Sequence, residues 1–245
     1  MDIKTLADVH CHTLQEVDDG AQTLEEACGM LRMAYEEGIR IIVLTPHHHP
    51  RRGRTGLREL KRQVRRLRER IPEIGEDLRL FLGMEVFFGE DILKELDNGE
   101  IKPMGKSEYI LLEFSPSDEF SYIRSAVQKV QMKGYQVVLA HVERYQCMLE
   151  ELAYTEELLD MGTYIQVNSG SIIGDSGRTV KKFTKELLKN HYVHFVGTDA
   201  HSMERRRPKM KEAASYVQKH YGAEYAERIF FKNAVMMLKN KKIPI

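Results

Sequence analysis

The sequence has no tryptophan and only three cysteines, Cys11, Cys28 and Cys147, none of them in a CxxC pair. An odd, unpaired count argues against a disulfide framework or a cysteine zinc finger and fits a reducing, cytoplasmic location. No apolar run approaches the roughly 20 residues of a membrane span, and the start MDIKTLADVHCH lacks the apolar core of a signal peptide. Neither sign of charge dominates, with 37 basic side chains against 37 acidic ones. Nucleic-acid partners and direct membrane insertion are therefore not expected. The phosphate-cradling loops GxxxxGK[ST] and GxGxxG are missing, as is the GxSxG nucleophile elbow. No cysteine has an arginine six positions on, which excludes a Cys-x5-Arg phosphatase loop.

What remains is 245 residues, 42% apolar and 30% charged, with no composition break, expected to form one domain over residues 1–245. Short apolar runs at Leu6–Val9, Arg40–Leu44, Arg79–Leu82, Tyr109–Leu112, Gln136–Leu139, Tyr164–Val167 and His194–Gly197 read as buried parallel strands. Helical stripes lie between them. Thr23-Leu24-Glu25-Glu26 reads as a capping box before Ala27, Cys28, Leu31 and Tyr35, with Gly38 as the stop. Leu57, Leu60, Val64, Leu67 and Ile71 form a second stripe, and Phe120, Ile123, Val127 and Val130 a third. Such alternation predicts an α/β fold, a TIM-like barrel of about seven parallel strands. An open doubly wound sheet gives similar local patterns, so alternation alone does not decide closure. The Arg51–Arg70 run is strongly basic and reads as the solvated face of a packed helix, or as an anion- or partner-docking surface.

Histidines and carboxylates recur where the predicted strands end. His10-Cys11-His12 follows the first, and residues two apart in an extended segment point the same way, so both imidazoles can converge on one ion. The second strand runs into Thr45-Pro46-His47-His48-His49 and the third into Gly83-Met84-Glu85. The fourth ends at Glu113, the fifth at His141 and the seventh at Asp199-Ala200-His201. Parallel barrels carry their catalytic residues at these ends. Imidazole and carboxylate without thiolate select ions such as Zn, Mn, Fe or Co. The donors outnumber the needs of one ion, so two or three are expected, and Glu85 has two oxygens with which to bridge. Metals about 3.5–4 Å apart activate water and stabilise both oxygens of an in-line displacement at phosphorus. Arg144 lies three residues beyond His141, and Arg205-Arg206-Arg207 follows His201. Each offers either a guanidinium fork for phosphate or a surface salt bridge.

These residues resemble the PHP (polymerase and histidinol phosphatase) superfamily. More closely, they resemble the manganese-dependent protein-tyrosine phosphatases encoded with capsule or exopolysaccharide operons of Gram-positive bacteria. The resemblance runs through DVHCHTLQEVDDGAQTLEEA, GIRIIVLTPHHHP, GMEVFFGED, YILLEFS, AHVERY, YIQVNSGS and VGTDAHSMERRRPKM, essentially the whole chain. It implies a distorted barrel of about seven strands with a metal cluster at their carboxyl ends. It implies a first metal site of His10, His12, Glu85 and Asp199, a second of Glu85, Glu113 and His141, and a third of Asp19, His47 and His201. Arg144 and Arg206 take the place of phosphate-binding catalytic arginines. Asp18 is left a supporting role, and His48 and His49 have no ligand counterpart. The implied ions are two or three Mn, with Fe, Zn or Co as alternatives.

The implied reaction is hydrolysis of phosphotyrosine by a metal-bound hydroxide. Its substrate would be the tail of a membrane-associated bacterial tyrosine kinase that controls capsule or exopolysaccharide synthesis. A histidinol-phosphatase-like phosphoesterase would share the metal scaffold but normally lacks VDDG here. Amidohydrolases begin with HxH but use a different middle pattern, and a non-catalytic PHP module usually sits in a longer chain and often loses ligands.

Overall fold

A computed structural model describes residues 5–49, 53–89 and 91–245. Pro50, Arg51 and Arg52, the start of the basic run, lie outside the described residues. The first half of the chain comprises β1 (Leu6–Cys11), α1 (Leu24–Glu36), β2 (Ile39–Leu44), β3 (His47–His49), β4 (Gly53–Arg54), α2 (Leu57–Glu69), β5 (Arg79–Leu82), β6 (Glu85–Phe87) and α3 (Ile92–Asp97). There follow β7 (Tyr109–Glu113), α4 (Phe120–Met132), β8 (Gln136–Leu139), α5 (Gln146–Glu150), α6 (Ala153–Asp160), β9 (Tyr164–Asn168), α7 (Ser169–Ile173) and α8 (Arg178–Lys189). The last elements are β10 (Phe195–Gly197), α9 (Lys211–Tyr221), α10 (Ala223–Glu227) and α11 (Asn233–Leu238). None of the helices among the described residues is long and apolar enough to cross a membrane.

Local chemistry explains where the helices begin and end. Thr23 is extended, and its hydroxyl accepts the Glu26 N–H at 3.1 Å. The Glu26 carboxylate reaches back to the Gln22 N–H at 2.8 Å, so the box closes one residue before the Thr23 N–H. Gly38, at φ +92°, ends the turn after α1. α2 buries Leu60, Val64 and Leu67, as its spacing predicts.

The long sheet runs β10-β9-β8-β7-β6-β3-β4, and a short sheet runs β1-β2-β5. Among the described strands only β4, paired with β3, is antiparallel. The long sheet is thus a half-barrel of six parallel strands, not the about seven expected from the sequence. The cause is local. β2 leads into β3 across Thr45-Pro46, and β5 into β6 across Gly83-Met84, so at both places the chain leaves an apolar run in the short sheet and continues in the long one. Pro46 has no N–H to give a ladder. Two backbone bonds bridge the breaks, Gly83 N–H to Leu44 O at 2.8 Å and Glu85 N–H to Pro46 O at 3.1 Å.

The other ends of the two sheets also meet. Asp199 N–H donates to His10 O at 2.7 Å and His12 N–H to Ala200 O at 2.8 Å. The buried Asp8 carboxylate accepts from the Thr198 N–H at 2.9 Å and its hydroxyl at 2.5 Å. Gly197 permits this approach, because a Cβ there would stand 2.6 Å from His10 Cβ.

Strand alternation sorts the core into two layers. Ala7, Val9, Val43, Tyr109, Leu111, Val138, Ala140, Tyr164 and Phe195 pack in an inner cluster. Their neighbours Ile110, Leu112, Val137, Leu139, Ile165 and Val196 join the helices in an outer one. The inner cluster is floored by the chain's last segment, where Tyr109 donates to Lys241 O at 2.8 Å and Tyr164 to Ile243 O at 3.1 Å. Its opposite end is polar.

Candidate metal centre

At that polar end Glu85, which begins β6, is fully buried among four imidazoles. Its Oε1 lies 3.2 Å from His10 Nε2 and 2.8 Å from His141 Nε2. Its Oε2 lies 3.2 Å from His12 Nε2 and 2.9 Å from His47 Nδ1. Glu113, at the end of β7, stands 3.7 Å from both His47 Nδ1 and His141 Nε2. Asp19, in the loop after β1, is half exposed, its Oδ1 3.3 Å from His47 Nε2 and 3.4 Å from His201 Nε2. Asp199 Oδ1 lies 3.7 Å from His10 Nε2 and 3.6 Å from His12 Nε2.

The fold thus brings all nine expected ligands together around Glu85 and Asp199. Donor atoms within 4.8 Å of one another form the sets His10, His12, Glu85; His47, Glu85, Glu113; and His12, Asp19, His47, His201. His12 and His47 each belong to two sets, and Glu85 links two. Arg144 and Arg206 do converge on the centre, and both rest on Asp199. Arg144 Nη2 is 2.5 Å from its Oδ2 and Arg206 Nη2 is 2.6 Å from its Oδ1, with each arginine about two-fifths exposed. His48, pointing the other way along β3, is hydrogen-bonded to the Glu95 carboxylate at 2.7 Å, and His49 meets the Phe87 ring edge-on.

A second set of polar groups orients the imidazoles. Asp18 accepts from His12 Nδ1 at 3.0 Å and from the His47 N–H at 2.9 Å, leaving His12 Nε2 for the centre. Gly20 is needed where this loop doubles back, since a Cβ would sit 1.9 Å from His12 O. His201 Nδ1 donates to Asp199 O at 3.0 Å. Gln166 and Asn168 on β9 were not anticipated. Gln166 Oε1 accepts the His141 N–H at 2.7 Å and His10 Nδ1 at 3.1 Å. An amide oxygen only accepts, so His10 Nδ1 carries a proton and Nε2 is the nitrogen left for an ion. The Gln166 amide donates to Asn168 Oδ1 at 3.0 Å, and Asn168 donates to Asp199 Oδ2 at 2.9 Å. Both side chains share the inward parity of Tyr164, two polar residues in a wholly buried strand.

The charges are tightly coupled. Burial opposes charge on His12, but Asp18 and Glu85 outweigh it and raise the imidazole to about 10. Burial likewise opposes charge on His47, yet Asp19 and Glu85 lift it to about 9. Burial and then Arg144 push His141 down to about 4; burial and then His12 do the same to His201. Burial would raise Asp199, but Arg144, His10 and Arg206 hold it far below the usual carboxylate range.

Both ring nitrogens of His47, His141 Nδ1, His201 Nε2 and Glu85 Oε2 are buried with no hydrogen-bond partner among the described residues. Buried polar atoms are rarely left so. Clustered lone pairs of imidazole and carboxylate are what divalent ions take, and the residues present fit such a cluster.

Comparison with known proteins points the same way. Residues 6–239 match the family model for capsular polysaccharide synthesis, CpsB/CapC. The tyrosine-protein phosphatase CpsB of Streptococcus pneumoniae is 31% identical over 97% of this chain and 100% of its own length. A solved structure described as a metal-dependent tyrosine phosphatase, from work on YwqE of Bacillus subtilis and CpsB of Streptococcus pneumoniae, superposes with a TM-score of 0.90 at 29% identity. That match covers 98% of this chain and 96% of the other. Histidinol phosphate phosphatase of Lactococcus lactis shares the fold alone, with a TM-score of 0.56 at 13% identity over 94% of this chain and 97% of its own. With its α/β half-barrel and buried His/Asp/Glu cluster, the chain belongs to the CpsB/CapC family of capsular polysaccharide synthesis proteins.

Proposed function

We propose that this chain is a metal-dependent protein-tyrosine phosphatase, one domain over residues 1–245 that uses two or three divalent ions, Mn by preference. Its substrate is the phosphotyrosine tail of a membrane-associated bacterial tyrosine kinase controlling capsule or exopolysaccharide synthesis, met in the cytoplasm. The free thiols of Cys11, Cys28 and Cys147 fit that compartment. The two sheets are read as one distorted barrel, a reading supported by the hydrogen bonds between β1 and the segment after β10.

The observation that carries the proposal is Glu85, a fully buried carboxylate with two oxygens shared among four imidazoles, beside two half-exposed arginines. We assign His10, His12, Asp19, His47, Glu85, Glu113, His141, Asp199 and His201 as ligands. Divalent ions held there supply a nucleophile from water near neutral pH and offset charge on phosphoryl oxygens. Asp18, Gln166 and Asn168 keep the ligands aimed. Arg144 and Arg206 bind the phosphate through charge-assisted hydrogen bonds, with Asp199 holding both guanidinium groups in place beforehand. A tyrosyl leaving group, with a solution pKa of ~10, needs less protonation than an alkoxide. Burial pushes the Cys11 thiol well above its ordinary range, so no thiolate competes as nucleophile there.

The test is a phosphoester panel with metal-stripped protein reconstituted separately with Mn, Zn, Fe and Co. Phosphotyrosyl peptides with Mn should give the highest kcat/KM. A tenfold advantage for histidinol phosphate would reverse the substrate assignment.

A further inference from the structure

α2 carries a row of cations that the centre does not use. Arg58, Lys61, Arg62 and Arg65 follow the i, i+3, i+4, i+7 spacing of one helical stripe, all exposed, on the side away from the buried Leu60, Val64 and Leu67. Glu59 neutralises Arg62 through contacts at 2.8 and 2.7 Å. Arg58, Lys61 and Arg65 have no acidic partner among the described residues. Like charges three and four residues apart weaken a helix, so the fold carries this stripe against its own stability. Lys102 adds to the field: partial burial and then Lys61 and Lys106 lower its ammonium pKa.

The stripe lines a surface groove of about 720 Å³. The groove lies beside the loop that bears Asp18 and Asp19. Thr55, just before α2, donates to Val17 O at 3.0 Å, and Gln15 of the same loop donates its side-chain amide to Gln63 Oε1. Arg62 also feels the negative charge of Glu16.

We propose that this groove is a specificity subsite that binds the acidic residues flanking the substrate phosphotyrosine, either carboxylates or a second phosphate. The inference rests on the phosphatase reading and adds which peptides the enzyme selects. Three free cations in a row match an anionic extended segment, and the groove's Gly56 end adjoins Thr55, whose bond to Val17 O ties it to the loop bearing Asp18 and Asp19.

The experiment uses the metal-loaded full chain. Phosphotyrosyl peptides flanked by Glu, by a second phosphotyrosine or by Gln are compared in kcat/KM, each referred to p-nitrophenyl phosphate measured on the same protein. Both anionic peptides should exceed the Gln peptide, mainly through KM, and the advantage should shrink as salt rises. R58E/R65E should cut the advantage at least about fivefold, whereas R124E, reversing an exposed charge outside the groove, should keep it. R58Q/R65Q, which only removes charge, should give an intermediate loss. Equal ratios in wild type and R58E/R65E would overturn the subsite. So would loss of binding to phosphatidylglycerol vesicles in R58E/R65E with peptide ratios unchanged, which would assign the stripe to a lipid surface. Failure of every phosphotyrosyl peptide while p-nitrophenyl phosphate is hydrolysed would overturn the phosphotyrosine reading, and the subsite with it.

Discussion

Replacing Glu85 by Gln isolates charge from shape. The amide keeps the volume of the side chain, so no cavity opens, but it removes the negative charge that four imidazole nitrogens approach within 3.2 Å. Removing one partner of a buried ionic arrangement typically costs about 3–5 kcal/mol, because the remaining charges stay desolvated and unpaired. If that loss falls on metal affinity, it corresponds to roughly a hundredfold to a few thousandfold. The variant and wild type would be dialysed against the same micromolar free Mn. Bound metal per chain is then measured by elemental analysis, and kcat/KM with a phosphotyrosyl peptide. Bound metal and kcat/KM should fall together, while circular dichroism shows the fold retained, since the two core layers lie below the centre. Wild-type metal content with wild-type kcat/KM would refute the bridging assignment of Glu85.

Arg144→Ala and Arg206→Ala should each leave bound metal unchanged and lower kcat/KM about tenfold to a hundredfold, the worth of a lost charge-assisted contact of roughly 1.5–3 kcal/mol. Arg206→Lys should recover only part of that, and unchanged kinetics in both Ala variants would make these arginines ordinary surface charges. Far from the centre, burial and then Arg228 push His194 from 6.5 down to about 4. Its Nδ1 accepts the Ile165 N–H at 3.2 Å, a bond that protonation destroys. A folded-state pKa below the unfolded one makes a contribution present above pH ~6.5 and lost as pH falls towards 4, here of about 3 kcal/mol. Urea unfolding across that window should show a steeper loss in wild type than in His194→Asn, and identical slopes would remove His194 as the cause.

Much of the centre was legible because parallel strands put their chemistry at one end. His10, His12, Glu85, Glu113, His141 and Asp199 could be placed by asking which residue follows each apolar run. The divided strands were not legible, because the breaks at Thr45-Pro46 and Gly83-Met84 reroute pairing through tertiary contacts that no local pattern encodes. Which ring nitrogens face the centre was equally hidden. It depends on which ring nitrogen each neighbour occupies, and for His12 that neighbour, Asp18, lies around a loop closed by Gly20. Gln166 and Asn168 did leave a trace, since they alternate in phase with Tyr164 along a strand too apolar to be exposed. Neither ionises, so neither side chain marks itself in the sequence as part of a metal or catalytic site. Parity also separates His48 from His47, and its partner Glu95 sits on α3, a helix that no stripe had announced.

The floor of the inner layer is made by the last residues of the chain, through the carbonyls of Lys241 and Ile243. Translation runs from N to C, so every proposed ligand through His201 leaves the ribosome before Lys241 and Ile243 do. A nascent chain halted near Lys239 holds the whole ligand set, yet the Tyr109 and Tyr164 hydroxyls lack the acceptors they have in the finished fold. Synthesis of Lys241 and Ile243 is therefore the step that gives two buried tyrosine hydroxyls their acceptors, after every proposed ligand has been made.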